Sequence, residues 1–198
     1  MGHLPFVERR FTRLLATLTN MPPLPLLRPP DPAEFASFYA GYVARVRHVV
    51  DPMGELTAQR TRVRALLAPL PDSRAAYRYA PGKWSVKDLV GHLADAERIF
   101  AYRLLRIARG DRTPLAGWDE NTYAATADSD NREMQEILED WTAARDSTIA
   151  LVHGLPDDCW ERSGSANDAT VTVRALLYIV LGHTEHHVAV LREKYGVS

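Results

Sequence analysis

Residues 171–194 read VTVRALLYIVLGHTEHHVAVLREK, and this stretch is the most informative part of the chain about its fold. At roughly 100° per residue, its apolar residues and two of its histidines share one face of a helix. The members of this stripe are Val173, Leu176, Val180, His183, His187, Val190 and Leu191. We therefore predict a helix over 171–194 whose buried face contains imidazoles.

Three further stretches predict long helices, over residues 54–69, 85–109 and 131–153. Ser85 and Asp88 have the spacing of a capping box, and Gly110 follows as a natural C-terminal stop. Asp130 and Glu133 form a second capping pattern at the start of the third stretch. Four long helices with short caps and one long loop predict an all-α protein, a four-helix bundle.

Additional helices are predicted in front of the bundle. Residues 5–19 have the spacing of a short amphipathic helix, and the proline-rich connector over 22–30 cannot be helical. A helix over 31–50 is then expected, because an acid and a proline occupy its first positions. These signals divide the chain into an N-terminal appendage, residues 1–30, and a bundle domain, residues 31–198.

The remaining segments are predicted to be connections. No stretch is typical of a strand, and SGSAND at 163–168 is predicted to be a loop. The connection over 111–128 is long for a compact domain, and such loops often carry function. Trp118, Asn121 and Tyr123 within it are candidates to cover a pocket, although packing of Trp118 against the helices is an equal alternative.

Composition argues against several classes of function. The formal net charge is −1 and Lys and Arg form no long run, so the chain lacks a field that would attract nucleic acid or an anionic membrane. No apolar run has the length of a transmembrane helix. Cys159 is the only cysteine, so no intramolecular disulfide is expected and a cytoplasmic location is the simplest prediction. Asp157 and Asp158 beside it disfavour a thiolate, which predicts a structural thiol.

Three of the seven histidines form a candidate metal site. His183 and His187 are four residues apart, so both rings project from one face of the helix. His92 lies at the border of the apolar stripe of the helix predicted over 85–109, and residues of different helices converge inside a bundle. Buried imidazoles need polar partners, so they either hydrogen-bond within the core or bind a ligand.

Three neutral imidazoles with an open position for water are typical of catalytic zinc, and nickel or iron also accepts imidazole ligands. His186 lies roughly 110° from the middle of the apolar stripe, so we expect it at the surface or as a supporting group. His3, His48 and His153 have no partner spacing and receive no role.

Three short motifs occur in a characteristic order along the chain: PGKWSV at 81–86, GHLADAER at 91–98, and GHTEHH at 182–187 followed by Leu191. Together they resemble the DinB/YfiT-like superfamily, which also includes thiol-dependent S-transferases and mycothiol-dependent maleylpyruvate isomerases. The resemblance covers about residues 32 to 195. It implies a four-helix bundle in which His92, His183 and His187 bind nickel or zinc.

The resemblance also implies a chemistry. A low-molecular-weight thiol would attack an electrophilic small-molecule substrate, giving an S-transferase, or water would replace the thiol, giving a hydrolase. Asp95 and Glu97 are candidates for a general base or a supporting group, and the alternative is a solvated helix face with Glu97 paired to Arg98 or Tyr102. A homodimer is expected for the family. The competing hypothesis is a non-catalytic binding or stress-response bundle in which a metal is structural or absent.

Overall fold

The structure is a computed structural model, and it describes residues 27–198. The helix predicted over 5–19 and most of the predicted appendage therefore lie outside the described residues. Over 27–198, none of the helices combines the length and the apolar character that a membrane crossing requires.

The described chain forms seven α-helices and one β-hairpin. In chain order these are α1 (Ala40–Val46), α2 (Pro52–Leu67), α3 (Asp72–Ala75), α4 (Val86–Ala108), α5 (Glu120–Thr126), α6 (Met134–His153), β1 (Ser163–Ala166), β2 (Ala169–Thr172) and α7 (Val173–Tyr195). Short 3-10 turns occur at Pro32–Glu34, Ser37–Tyr39, Ser129–Asn131 and Asp157–Cys159.

The four long helices α2, α4, α6 and α7 pack as a bundle, as the sequence predicts. Helices α4 and α2 each contact both α6 and α7, and α1 lies against α7. The approach of α1 to α7 is very close, because a Cβ added at Gly182 would lie 2.1 Å from the carbonyl oxygen of Tyr42. Only glycine at position 182 allows α1 to pack this closely on α7. The close packing places Tyr42 next to the histidines of α7.

The N-cap of α4 is the one predicted from the sequence, whereas the N-cap of α6 differs from the prediction. Ser85 caps α4, since its Oγ accepts from the backbone N–H of Asp88 at 3.0 Å and the capping box is complete. The predicted start at Asp130 is wrong, because a 3-10 turn and the extended residue Arg132 (φ −105°, ψ 151°) precede α6. Glu133 is the N-cap of α6 and forms its capping box with Glu136.

The prediction for the segment before the bundle also needs correction. The helix expected over 31–50 is interrupted, and only Ala40–Val46 is α-helical. Phe35 is extended (φ −155°, ψ 159°), which separates two 3-10 turns. The first turn places Glu34 against Arg174 of α7, with Oε1 2.6 Å from Nη2. A tertiary ion pair at this point accompanies the departure from a continuous helix.

The loop predicted over 163–168 is in fact part of a β-hairpin. Strands β1 and β2 pair antiparallel, with Ala166 opposite Ala169. The two residues between them, Asn167 and Asp168, have φ of 52° and 58°. Positive φ at both positions is the conformation that closes a two-residue hairpin, and Asn and Asp tolerate it. This turn signal is present in the sequence and was missed.

The connection over 111–128 is not irregular throughout, because it contains α5. Asp119 caps this helix, its Oδ1 accepting from the backbone N–H of Asn121 at 2.9 Å and of Thr122 at 3.1 Å. Leu115 N–H donates to Ser165 O at 2.9 Å, which attaches the segment to β1. Trp118 is thereby held between the hairpin and α5.

A buried polar layer divides the apolar core into two clusters. Gln59 of α2, Arg145 of α6 and Thr184 of α7 each lie along their helix between residues of the two clusters. The apolar neighbours on either side are Leu56 and Val63, Trp141 and Val152, and Leu181 and Val188. Polar groups buried in this way must be paired with each other.

Cys159 is fully buried, and burial raises the pKa of its thiol. Both observations confirm the prediction of a structural cysteine.

Candidate functional site

Three imidazoles meet in the buried interior of the bundle. His92 comes from α4, and His183 and His187 come from adjacent turns of α7. The Nε2 atom of His183 lies 3.0 Å from Nε2 of His92 and 3.2 Å from Nε2 of His187. One ligand atom from each ring lies within 4.8 Å of the others. The three residues singled out from the sequence are therefore together, with the same ring nitrogen of each pointing inward.

The helices place these rings through the periodicity of the sequence. Four-residue spacing brings His183 and His187 onto the same face of α7. The side chains of His92, His183 and His187 are only 5%, 5% and 9% exposed. Aromatic edges enclose them: Phe100 and Tyr42 lie 5.5 and 5.3 Å from His183 between ring centroids.

The ring nitrogens cannot all be satisfied by one another. A ring nitrogen has either one proton or one lone pair, so Nε2 of His183 cannot serve both of its neighbours well. In addition, Nδ1 of His92 and Nδ1 of His187 are buried without a hydrogen-bond partner among the described residues. The competition for Nε2 of His183 leaves the inward nitrogens incompletely satisfied, which favours a shared ligand over a closed set of core hydrogen bonds.

Burial keeps the three imidazoles neutral at neutral pH. Burial, assisted by His186, lowers the pKa of His92 to about 4. The pKa of His183 and of His187 falls well below the usual value, mainly through burial and then through the neighbouring histidines. Neutral imidazole is the protonation state that binds a metal ion.

The distances between the nitrogens suit a divalent ion. With metal–nitrogen bonds of about 2.0–2.1 Å, two imidazole nitrogens lie about 3.3 Å apart at a tetrahedral angle and about 2.9 Å apart at a right angle. The two Nε2 separations at His183, 3.0 and 3.2 Å, fall between these values. The donor set, its spacing and its neutrality all fit one ion of the zinc or nickel type.

A cavity of about 140 Å³ opens beside His92 and His183. Its other lining residues are Phe38, Tyr39, Tyr42, Phe100, Arg103, Trp118, Glu120 and Asn167. Five of these eight residues are aromatic, and the charged members are Arg103 and Glu120. Polar and apolar atoms contribute similar shares of the cavity surface, so the imidazoles are reached through a small space of mixed character.

The three residues proposed to cover a pocket have different positions. Trp118 stacks on His92, with ring centroids 5.6 Å apart and an interplanar angle of 11°. Tyr123 packs edge-on against Trp118 at 5.0 Å. Asn121 lines a different cavity, next to Trp84 and Ser129. Trp118 therefore covers the site directly, whereas Tyr123 supports it.

Glu97 and Asp95, the two carboxylates near His92 in the sequence, differ in their burial and in their ion pairs. Glu97 is 3% exposed, and its Oε1 and Oε2 each accept from Arg145, from Nε and Nη2, at 2.9 Å. The alternative of a solvated face with Glu97 paired to Arg98 or Tyr102 is therefore wrong. Asp95 is half-buried, and its Oδ1 lies 4.0 Å from Arg98 Nη1. Burial raises the pKa of Asp95.

Sequence reasoning missed the polar residues that line the cavity, above all Arg103. It follows His92 by roughly three helical turns, so both residues lie on one face of α4, and this spacing is a signal that could have found it. Tyr39 and Asn167 reach the cavity from the N-terminal segment and the hairpin. No periodicity of one helix could have indicated them.

Comparison with known proteins places the chain in a family. The DinB superfamily model matches residues 55–191. Putative metal-dependent hydrolase YfiT of Bacillus subtilis (strain 168) is 26% identical over 134 residues, covering 63% of this chain and 71% of that protein. Putative metal-dependent hydrolase OB0413 of Oceanobacillus iheyensis is 23% identical over 122 residues, covering 61% and 69%.

The solved structure of YfiT from Bacillus subtilis shows the same architecture. It superposes with a TM-score of 0.66 at 20% identity, covering 85% of this chain and 94% of that one, and it is described as having an unusual four-helix bundle topology. The family model spans more than half of the chain and contains all three histidines. The chain therefore belongs to the DinB superfamily.

Proposed function

We propose that His92, His183 and His187 hold one divalent metal ion and that the protein is a metal-dependent hydrolase or S-transferase acting on a small molecule. The convergence of three neutral Nε2 atoms at 3.0 and 3.2 Å is the observation that carries this proposal. Both relatives carry the name "Putative metal-dependent hydrolase", which supports the proposal. Nickel or zinc suits the donor set best, and iron is the further candidate.

An ion at this site would lower the pKa of a coordinated water or low-molecular-weight thiol and so supply the nucleophile. The chain itself supplies the surroundings. Trp118, Phe100 and Tyr42 exclude bulk water from the imidazoles, which strengthens electrostatic interactions inside the cavity. The cavity beside His92 and His183 is the space in which the electrophilic substrate would lie.

Neither Asp95 nor Glu97, the two carboxylates predicted as bases, takes the role of general base on its position alone. Glu97 is held by Arg145 on both oxygens, so we assign it to support of the bundle rather than to proton transfer. Asp95 is not among the residues that line the cavity. A nucleophile activated by the ion needs no separate base of high pKa.

The proposal is tested first by metal content. The protein is purified without a metal-affinity tag or chelator, and metal per chain is measured by mass spectrometry. About one equivalent is expected in the wild type and much less in His183→Ala and His187→Ala. His186→Ala is the matched control, since this imidazole lies on the same turn outside the cluster and should retain the metal.

Absence of metal in the wild type, even after reconstitution with nickel or zinc, would overturn the proposal and favour a non-catalytic bundle. If metal binds, the nucleophile is identified by comparing hydrolysis of an activated ester with transfer of a small thiol to an alkyl halide. Water-dependent turnover alone identifies a hydrolase, and thiol-dependent turnover an S-transferase. The homodimer and the cytoplasmic location stay predictions.

A further inference from the structure

Within the described residues, 27–198, Arg103 is a buried cation that pairs with no carboxylate. Its side chain is 2% exposed. Nη2 donates to the carbonyl oxygen of Ala116 at 2.8 Å, and Nη1 donates to the hydroxyl oxygen of Tyr39 at 3.4 Å. Among residues 27–198, no Asp or Glu oxygen lies within ion-pair distance of it. The charge of this guanidinium is therefore buried without an ion-pair partner in this part of the chain.

The other strongly buried arginines of the bundle are arranged differently. Arg145 forms a two-pronged pair with Glu97, and Arg174 pairs with Glu34 and Glu161. Both follow the rule that buried charges are paired, because an isolated buried charge is destabilising. Arg103 departs from that rule, which makes it a candidate to pair with a charged ligand instead.

The position of Arg103 indicates what that ligand is. Its side chain lines the same cavity as His92 and His183. Glu120 also lines this cavity, but it is an exposed residue and forms no ion pair with Arg103 within the described part of the chain. The remaining walls include aromatic residues such as Phe100 and Trp118, with polar and apolar atoms in similar shares. The cavity thus offers one buried cation and aromatic rings next to the three imidazoles.

We propose that Arg103 binds a carboxylate group of the molecule that reacts at the histidine site, so that the substrates are small carboxylic acids. This inference rests on the proposed function, because it takes the cavity beside the imidazoles as the place of reaction. A guanidinium and a carboxylate match in geometry and form strong paired hydrogen bonds. A cavity of about 140 Å³ is close to the size that holds one benzene ring, which limits the buried part of the ligand to a small group.

The probes are benzoate and its neutral isostere benzamide, titrated calorimetrically into the protein before and after metal removal. Metal removal prevents the carboxylate from binding through the ion instead of through Arg103. In wild-type protein benzoate should bind about tenfold to a hundredfold more tightly than benzamide. Arg103→Gln should remove this difference. Arg106→Gln, an arginine of the same helix that already pairs with Asp111, should leave it unchanged.

Equal binding of benzoate and benzamide by the wild type, or an unchanged preference in Arg103→Gln, would overturn the inference. Circular dichroism and thermal unfolding show whether the variant is folded. If Arg103→Gln does not fold, Arg103→Lys decides the question, because lysine retains the charge but loses the planar fork. A benzoate affinity at least threefold weaker supports the inference, and an unchanged affinity contradicts it.

The carboxylate belongs either to the electrophile or to the thiol. Mercaptoacetate and 2-mercaptoethanol, titrated into nickel-loaded protein, distinguish the two sources. A preference for mercaptoacetate that disappears in Arg103→Gln assigns the carboxylate to the thiol, whereas a preference seen only with benzoate assigns it to the electrophile. If neither acid is preferred although metal is bound, this inference fails and the metal site stands. If benzoate is preferred but no metal binds, the metal site fails, and only the binding of a carboxylate by Arg103 stands.

Discussion

Trp118 lies parallel to the ring of His92, at 5.6 Å between centroids and 11° between planes, so a side chain from outside the four long helices orients a histidine inside them. His92 also contacts Trp84, with ring centroids 4.8 Å apart. Nδ1 of His92 has no hydrogen-bond partner among the described residues. On the Nδ1 side, packing against indoles rather than a hydrogen bond therefore orients this imidazole.

Trp118→Ala should weaken nickel or zinc binding by about tenfold while the bundle remains folded, since supporting contacts of ligand histidines typically have effects of this size. Affinity is measured by competition with a chelator, and folding by circular dichroism. Tyr79→Ala is the control, because Tyr79 is a partly exposed aromatic residue that packs on Tyr195 instead. Unchanged affinity in Trp118→Ala would show that packing around His92 does not set its orientation.

Glu97→Ala should destabilise the protein by about 3–5 kcal/mol, because it leaves Arg145 buried and unpaired. Arg145 also donates to Gln59 Oε1 at 2.7 Å and to Thr184 Oγ1 at 2.9 Å, so the pair joins all four long helices. The free energy of unfolding is measured by urea titration.

The double variant Glu97→Leu with Arg145→Met should recover much of that loss, since it removes both charges. Asp140→Asn provides a surface comparison: it disrupts the exposed pair with Arg98 and should cost less than about 1 kcal/mol. A small effect of Glu97→Ala, similar to that of Asp140→Asn, would contradict the role assigned to the buried pair.

Gly182→Ala and Gly41→Ala should have opposite effects on stability. A Cβ at Gly182 would lie 2.1 Å from the Tyr42 carbonyl oxygen, which cannot move without shifting α1, so we expect a loss of about 3 kcal/mol. A Cβ at Gly41 would meet no atom within 4 Å, and alanine in this helix should stabilise by about 0.5–1 kcal/mol. Both values come from urea unfolding. Equal effects of the two substitutions would mean that α1 does not pack this closely on α7.

Because of the ion pair between Glu34 and Arg174, the free energy of unfolding should depend on pH in the acid range. Burial alone raises the pKa of Glu34, but hydrogen bonds from Arg174, from the backbone of Asp31 and from Thr172 outweigh it, so its pKa is lowered in the folded state. A carboxyl group with a lowered pKa stabilises the fold at pH values above its unfolded value, 4.5, and this stabilisation is lost as pH falls through the folded value.

At pH 7, Glu34→Gln should therefore be about 1–3 kcal/mol less stable than the wild type. The gap should narrow as the pH is lowered below 4.5, because the wild-type carboxyl then binds a proton as well. Urea unfolding of both proteins at several pH values measures this gap. A gap independent of pH would show that the charge of Glu34 contributes nothing. Glu139→Gln, which removes the charge of an exposed ion pair with Arg64, is the control and should change the free energy of unfolding much less.

The amino-acid sequence by itself determined the four long helices and part of the site. Capping at Ser85 and the apolar stripe of α7 are local patterns that depend on residues within one or two helical turns of each other. The pairing of His183 with His187 follows from the same periodicity, because four residues span about one turn. Local geometry was sufficient for these features.

Only the tertiary structure decided the rest. Nothing local to α4 brings His92 to within 3.0 Å of His183, buries Glu97 against Arg145, or leaves Arg103 beside the cavity without an ion-pair partner among residues 27–198. These features depend on which helix faces pack together, and packing joins residues that are far apart in the chain. The interrupted helix near Phe35 has the same origin, since it accompanies a tertiary ion pair.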